Sequence, residues 1–160
     1  MSVSASIDLR VVERYSGNLV SPIKIIEILL KHGWRVERNG YICYLPLGDE
    51  DNFAWSSYTM GIESLMKILR QKEAQDEIIG LILNWQDTDI GGDLLLWTKK
   101  EMTEKSIHTS MSLCLTMNRK LLIDDGQLKI TDVNWYIVNL LKIFNQGDTL
   151  VEYYTYEEHI

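Results

Sequence analysis

Hydrophobic and polar positions alternate along several short segments of the chain, and this pattern predicts β-strands. Residues 6–14, 107–117 and 150–156 each alternate with a period of two, as strands do when one face is buried. The apolar run IIGLILNW at 78–85 has no polar side, so it predicts a strand in the middle of a sheet. After the turn DTDIGG, residues 94–98 are expected to pair with it.

Two short turn sequences predict β-hairpins. Asn39-Gly40 and Asp125-Gly126 each separate two runs of strand-forming residues. Asn-Gly and Asp-Gly readily adopt the positive φ angles that tight hairpin turns require. The strands of these two hairpins are predicted at 34–37, 41–44, 121–123 and 128–130.

Three segments have the apolar spacing of amphipathic helices. The first follows Ser21, a suitable capping residue, and ends at Gly33. The second is predicted from 57 to 75. The third begins at Thr131 or Asp132 and is closed by glycine at position 147.

The order of these elements predicts the fold class. Because most strands follow one another directly, antiparallel or mixed pairing is favoured over the regular crossovers of a parallel sheet. We predict a single α+β domain over residues 1–160, with an antiparallel or mixed sheet of about six to eight strands and three helices on one side. The chain has 160 residues, 46% of them hydrophobic, which is enough for one core.

Composition also suggests a compartment. No segment reaches the ~18–20 apolar residues that cross a bilayer, and no basic segment followed by an apolar one resembles a secretion signal. Cys43 and Cys114 lie inside apolar runs without a neighbouring cysteine, as buried free thiols do. We therefore expect a cytoplasmic protein that does not contact a membrane.

The charge of the chain argues against nucleic-acid binding. There are 23 acidic and 16 basic residues, giving a formal net charge of −7. A surface of this sign repels phosphate backbones, so direct contact with nucleic acid is not expected.

No set of residues predicts catalysis or a cofactor. His108 shares a strand face with Ser110 and Ser112, which leaves a small hydrolase open as an alternative, although exposed strands often have this composition. Asp87 and Asp89 stand next to glycines, as turns require, and no metal-ligand spacing occurs. We expect neither an enzyme nor a bound metal or cofactor.

Aromatic residues give the clearest indication of a binding surface. Between Glu152 and Glu158, tyrosines alternate with glutamates near the end of the chain. Tyrosine is common at the centres of protein interfaces because its ring is apolar and its hydroxyl is polar. This segment is therefore the best candidate for a contact with another protein.

An acidic, aromatic-rich α+β domain without a catalytic set resembles the immunity proteins of bacterial contact-dependent growth inhibition and related polymorphic toxin systems. The resemblance is one of overall character, with no specific motif, and it includes the helix-strand unit DVNWYIVNLLKIF…LVEYYTYEEH from Asp132 to His159. It implies a small protein that binds and neutralises one cognate toxin domain, often a nuclease.

The resemblance also implies a partner with a basic surface, since a nuclease presents Lys and Arg to its substrate. We expect a monomer or weak dimer. A self-associating structural or adaptor subunit, paired through the strand at 150–156, remains an alternative. The residues expected to contact the toxin are Asp49, Glu50, Asp51, Asp87, Asp89, Glu152, Tyr153, Tyr154, Tyr156, Glu157 and Glu158.

Overall fold

The computed structural model describes residues 4–18, 20–49, 52–100, 107–116 and 118–159, without the side chains of residues 4, 98–100 and 107–110. The strands are β1 (Ser4–Glu13), β2 (Trp34–Arg35), β3 (Glu37–Arg38), β4 (Tyr41–Tyr44), β5 (Ser56–Thr59), β6 (Ile79–Trp85), β7 (Gly91–Lys100), β8 (Ile107–Leu115), β9 (Leu121–Asp124), β10 (Lys129–Thr131) and β11 (Thr149–His159). The helices are α1 (Pro22–Lys31), α2 (Ile62–Ala74) and α3 (Val133–Tyr136).

In the described part of the chain, nine strands form one sheet in the order β11-β1-β8-β7-β6-β4-β3, with β2 beside β6 and β5 beside β4. The strands β9 and β10 form a separate two-stranded sheet. All pairings between the described strands are antiparallel. The predicted α+β class is confirmed, but the number of strands is higher than predicted.

Part of the difference in strand number comes from one predicted hairpin arm. The arm at 34–37 is divided into β2, which pairs with β6, and β3, which pairs with β4. The turn itself is as predicted, because Asn39 has a φ of 53° and Gly40 a φ of 81°.

The second helix starts later than predicted. Residues 56–59 form β5 and pair with β4, and α2 begins only at Ile62 after Gly61, whose φ and ψ of −88° and 165° are extended. Tyr58 and Thr59 suit a strand, and β4 needs a hydrogen-bonding partner on this side. The prediction of a helix from position 57 is therefore wrong.

The first and third helices follow the local signals in the sequence. Ser21 caps α1 by accepting the Lys24 N–H at 3.2 Å, and Gly33 follows the helix with a φ of 100°. Asp132 caps α3 in the same way, through the Trp135 N–H at 3.1 Å. The chain after α3 stays helical, as a π turn at Ile137–Leu141 and a 3₁₀ turn at Lys142–Phe144. No described helix combines the length and hydropathy needed to span a bilayer.

One face of the main sheet forms the core together with the helices. Alternate residues such as Ile7, Leu81 and Leu113 are at most 2% exposed and belong to the same cluster as the apolar residues of α1, α2 and the segment after α3. At the centre of this cluster, the indole N–H of Trp34 donates to the Asn139 carbonyl at 2.8 Å. That bond ties the π turn to the sheet.

The other face, which we call the open face, carries the alternate residues. The strand pairings show which of these residues lie side by side on neighbouring strands. One corner is covered, where Leu45 and Trp55 pack against Gly80 so closely that a Cβ there would lie 2.5 Å from Leu45 Cγ. The open face contains Asp8, Arg10, Ile82, Asn84, Asp93, Leu95, Trp97, Ser112, Cys114, Tyr153 and Glu157.

The strand β11 lies at an edge of the sheet and contains a bulge. Arg10 pairs with Tyr153, and the next residue, Val11, pairs with Val151. Glu152 is therefore an extra residue in β11 without a partner in β1. Bulges of this kind increase the local twist of a strand.

Candidate interaction surface

The segment with alternating glutamates and tyrosines forms much of β11. Tyr153 is 54% exposed and Tyr154 is 48% exposed. Tyr153 and Glu157 lie on the open face, opposite Arg10 and Ser6, while Tyr154 lies on the helix side. The edge strand therefore displays rings and carboxylates on both of its sides.

Arg10 is the cation next to this group. Its guanidinium carbon lies 5.9 Å from the centre of the Tyr153 ring, and a guanidinium nitrogen lies 4.0 Å from the Glu152 carboxylate. Both charged side chains are more than a third exposed, so the ion pair contributes little to stability. The Arg10 guanidinium, which lies over the ring, holds Tyr153 against β1.

Glu158 differs from the other acidic residues of β11 because its side chain is only 10% exposed. Its carboxylate accepts the Thr131 hydroxyl at 2.6 Å and the Thr131 N–H at 3.3 Å, and it lies 3.5 Å from the Arg119 guanidinium. Burial raises the pKa of Glu158, but these hydrogen bonds and the Arg119 charge outweigh it and lower the pKa overall. Glu158 joins β11 to the β9-β10 pair.

Tyr156 lies beside this buried pair. Its hydroxyl oxygen is buried and has no well-formed hydrogen bond among the described residues. Burial, followed by the nearby Glu158 carboxylate, raises the pKa of Tyr156 to about 12, although Thr131 and Arg119 act in the opposite direction. The phenol is therefore neutral at physiological pH.

The acidic loop after β4 is organised by its first carboxylate. Asp49 is 8% exposed and accepts the N–H groups of Asn52, Phe53 and Ala54 at 3.1, 3.0 and 2.6 Å. Its carboxylate is thus used within the loop. Glu50 and Asp51, predicted to act with it, lie outside the described residues.

The acids of the turn between β6 and β7 form ion pairs with the β2-β3 region. Asp87 contacts Arg35 at 2.8 Å, and Asp89 contacts Arg38. All four side chains are more than half exposed, so both pairs exchange readily with solvent. Three strands separate β6 from β11, which means that the predicted acidic residues do not form one patch.

Asp93 is a candidate that the sequence pattern did not single out. It lies on the open face in β7, between Ile82 on one side and Cys114 on the other. Burial raises its pKa, and no hydrogen bond or ion pair to its side chain is found among the described residues. An aspartate inside the strand sequence GGDLLLW is the signal that would have found it.

The two cysteines are free; Cys43 is partly buried, and Cys114 is exposed rather than buried as expected from its apolar run. Burial, and then the Asp93 charge, raises the pKa of Cys43 and of Cys114. A raised pKa keeps a thiol protonated and weakens it as a nucleophile. Burial and the Asp93 charge therefore favour the protonated form of both thiols.

We expect Asp93→Asn to stabilise the protein at neutral pH by up to about 0.5 kcal/mol. The folded-state pKa is raised above the ordinary value of 3.8, so the charged carboxylate disfavours the fold at any pH above both values. Below 3.8 the group is protonated in both states, and the gain should vanish. Urea unfolding at neutral and acidic pH measures both effects; an equal or lower neutral-pH stability of the variant would contradict the prediction.

The remaining candidates for chemistry are His108 and a metal site. The side chain of His108 lies outside the described part of the chain, so the hydrolase alternative stays a prediction. Within the described residues, no group of three or more His, Cys, Asp or Glu side chains is placed to hold a metal ion. No protein-family model, curated protein or solved structure matches this chain.

Proposed function

We propose that this chain is an immunity protein that binds and neutralises a cognate toxin domain, a nuclease by class, through β11 and the adjoining open face. The observation that carries the proposal is the exposed edge strand, on which two half-exposed tyrosines stand among the carboxylates of Glu152 and Glu157. Aromatic anchors surrounded by charged groups are typical of the centre and rim of protein interfaces.

Charge complementarity supports a basic partner. Among the described side chains that β1, β7, β8 and β11 place on the open face, Asp8, Asp93 and Glu157 are acidic and Arg10 is basic. At the far end of the sheet, Arg35 and Arg38 are paired with Asp87 and Asp89. Asp93 has no cation partner within the described residues, so a Lys or Arg of the partner would relieve the cost of its charge. We expect an interface of standard size, about 1,600 Å² in total, on β11 and its neighbouring strands.

The direct test uses the protein encoded next to this chain in its source genome. If the proposal is correct, the C-terminal domain of a toxin encoded immediately upstream will stop bacterial growth, and co-expression of this chain will restore it. Purified domain and chain should bind with nanomolar affinity in calorimetry. A toxic domain that neither binds the chain nor is neutralised by it would contradict the proposal.

Charge reversal on β11 tests where the toxin binds. We expect Glu152→Lys/Glu157→Lys to reduce the association rate by about tenfold at low salt and to flatten its dependence on salt, because long-range attraction to a basic partner is lost. Stopped-flow fluorescence measures the rate. The control, Glu27→Lys/Glu63→Lys, makes the same change in net charge on exposed residues of α1 and α2. Equal rates for the two double variants would place the interface elsewhere.

Self-association is a second candidate because β11 is an edge strand with no further strand beside it in the described part. Edge strands can pair with the same strand of another copy. Sedimentation velocity over a range of concentrations separates the two functions. A concentration-dependent dimer would favour the structural or adaptor role, and a monomer would favour the inhibitor.

A further inference from the structure

A groove lies at the end of the sheet opposite β11, and its larger part also reaches Leu30 of α1 and Ile62 of α2. It consists of two adjoining cavities of about 630 and 370 Å³. The two cavities share Val36, Arg38, Asn39 and Asn84 as lining residues. No residue of β11 lines either of them, so this groove is distinct from the surface proposed to bind the toxin.

The groove exists because β6 changes partners along its length. It pairs with β4 at Leu81, opposite Tyr44, and with β2 at Asn84 and Trp85. Between these points, β4 continues into its hairpin with β3 and leaves β6. The resulting gap is lined by Ile82 and Asn84 from β6.

Asn84 is the residue that indicates a ligand. It is 8% exposed, it lines both cavities, and it is paired in register with Arg35 of β2 and Gly91 of β7. Its carboxamide makes no hydrogen bond to the described part of the protein. The fully buried side-chain atoms without a partner in the described residues do not include the Asn84 amide, so its polar atoms open onto the groove and are left to water or a ligand. An unpartnered carboxamide facing a groove is therefore well placed to bind a ligand.

The charges around the groove narrow the class of ligand. Arg35 and Arg38 are already paired with Asp87 and Asp89, so their positive charges are balanced. With a chain charge of −7 as well, this groove does not favour a phosphate or another strong anion. In the smaller cavity, Arg38 is the one charged residue among the described lining residues and it is paired with Asp89, so the ligand should be neutral where it meets Asn84.

We propose that this groove binds an extended peptide segment, whose backbone is held by the side chain of Asn84. A carboxamide has a donor and an acceptor side by side, and a residue in extended conformation presents its own N–H and C=O in the same direction. The Asn84 oxygen accepts the peptide N–H, and the Asn84 NH₂ donates to the peptide C=O. Ile82 and Val36 provide apolar contacts beside it.

The test is a titration of ¹⁵N-labelled protein with N-acetylalanine N-methylamide, followed by NMR. The side-chain NH₂ signals of Asn84, assigned from their loss in Asn84→Leu, should shift and saturate in the millimolar range. O-acetyl-lactic acid N-methylamide has an ester oxygen in place of the alanine N–H. It should bind about tenfold more weakly, since one hydrogen bond is lost.

Two variants complete the design. In Asn84→Leu, the amide should no longer shift the neighbouring backbone signals. Ser112 lies on the same face but outside both cavities, so Ser112→Ala should bind the amide like the wild type. The backbone spectra of the variants show whether each is folded. No saturating shift in the wild type, equal binding of amide and ester, or unchanged binding by folded Asn84→Leu would each overturn the proposal. Because the probe is a small amide, none of these results depends on the toxin.

Discussion

Glu158→Gln is expected to lower the free energy of unfolding at neutral pH by about 3–5 kcal/mol, because it leaves a buried positive charge without its anion. Arg119 is 6% exposed. Without the Glu158 carboxylate, the partners left to the Arg119 guanidinium among the described residues are the Thr131 hydroxyl at 2.8 Å and the Lys129 carbonyl at 3.1 Å. Neither of these carries a charge. Urea unfolding of the variant and the wild type measures the loss.

The pH dependence of this loss follows from the lowered pKa of Glu158. A carboxyl group with a lowered folded-state pKa stabilises the fold above its ordinary value of 4.5. That contribution is lost as the pH falls through the folded-state pKa. The difference between wild type and Glu158→Gln should therefore be full at neutral pH and shrink in acid.

The neighbouring residue provides a matched control. Glu157 has a side chain that is 68% exposed, and Glu157→Gln should change the free energy of unfolding by less than about 0.5 kcal/mol. If the two glutamine variants are equally stable, Glu158 does not hold β11 to the β9-β10 pair.

Lys72→Met is expected to lower the free energy of unfolding by a similar amount, about 3–5 kcal/mol, because it breaks a second buried ion pair. Lys72 is fully buried, and its ammonium group donates to the Pro46 carbonyl at 2.8 Å and lies 3.4 Å from Glu77. The Glu77 carboxylate also accepts the Gly48 N–H at 2.5 Å. Methionine fills much of the same volume but leaves this carboxylate buried without a cation. Denaturant unfolding measures the loss.

A double variant separates the pair from its packing. Lys72→Met/Glu77→Leu removes both charges and should recover part of the lost stability, because apolar residues often replace a buried ion pair at little cost. Lys67→Met, an exposed position on the same helix, should have little effect. If the double variant is as unstable as the sum of the two single variants, the charges are not coupled as described.

Local signals in the sequence predicted those elements that are determined by short-range interactions. The Ser21 cap and Gly33 define α1, and Asn39-Gly40 defines a turn, since each acts within a few residues. The predicted start of α2 was wrong because pairing with β4 determines the conformation of Ser57–Thr59. The apolar periodicity of the sequence does not reveal this pairing. Pairings between distant strands also set the strand order.

The candidate surface was predictable only in part, for the same reason. Exposure of Tyr153 and Tyr154 follows from their position near polar neighbours in an edge strand. The burial of Glu158 depends on Thr131, which lies 27 residues away in the chain, and no local pattern distinguishes it from Glu157. Asn84 was missed because it looks like one polar residue in an apolar strand. Its importance comes from the separation of β4 and β6.

The extra residue in β11 limits how copies of this protein can stack into fibrils. Before the bulge, the Val151 N–H is already bonded to the Asn145 side chain at 2.7 Å. At the bulge, Glu152 brings a charge and a local twist, and both hinder the addition of a flat strand. A strand from another copy could pair regularly with β11 only over the residues after Glu152. Concentrated solutions should therefore resist amyloid growth along this edge, even though eleven residues of β11 lie there.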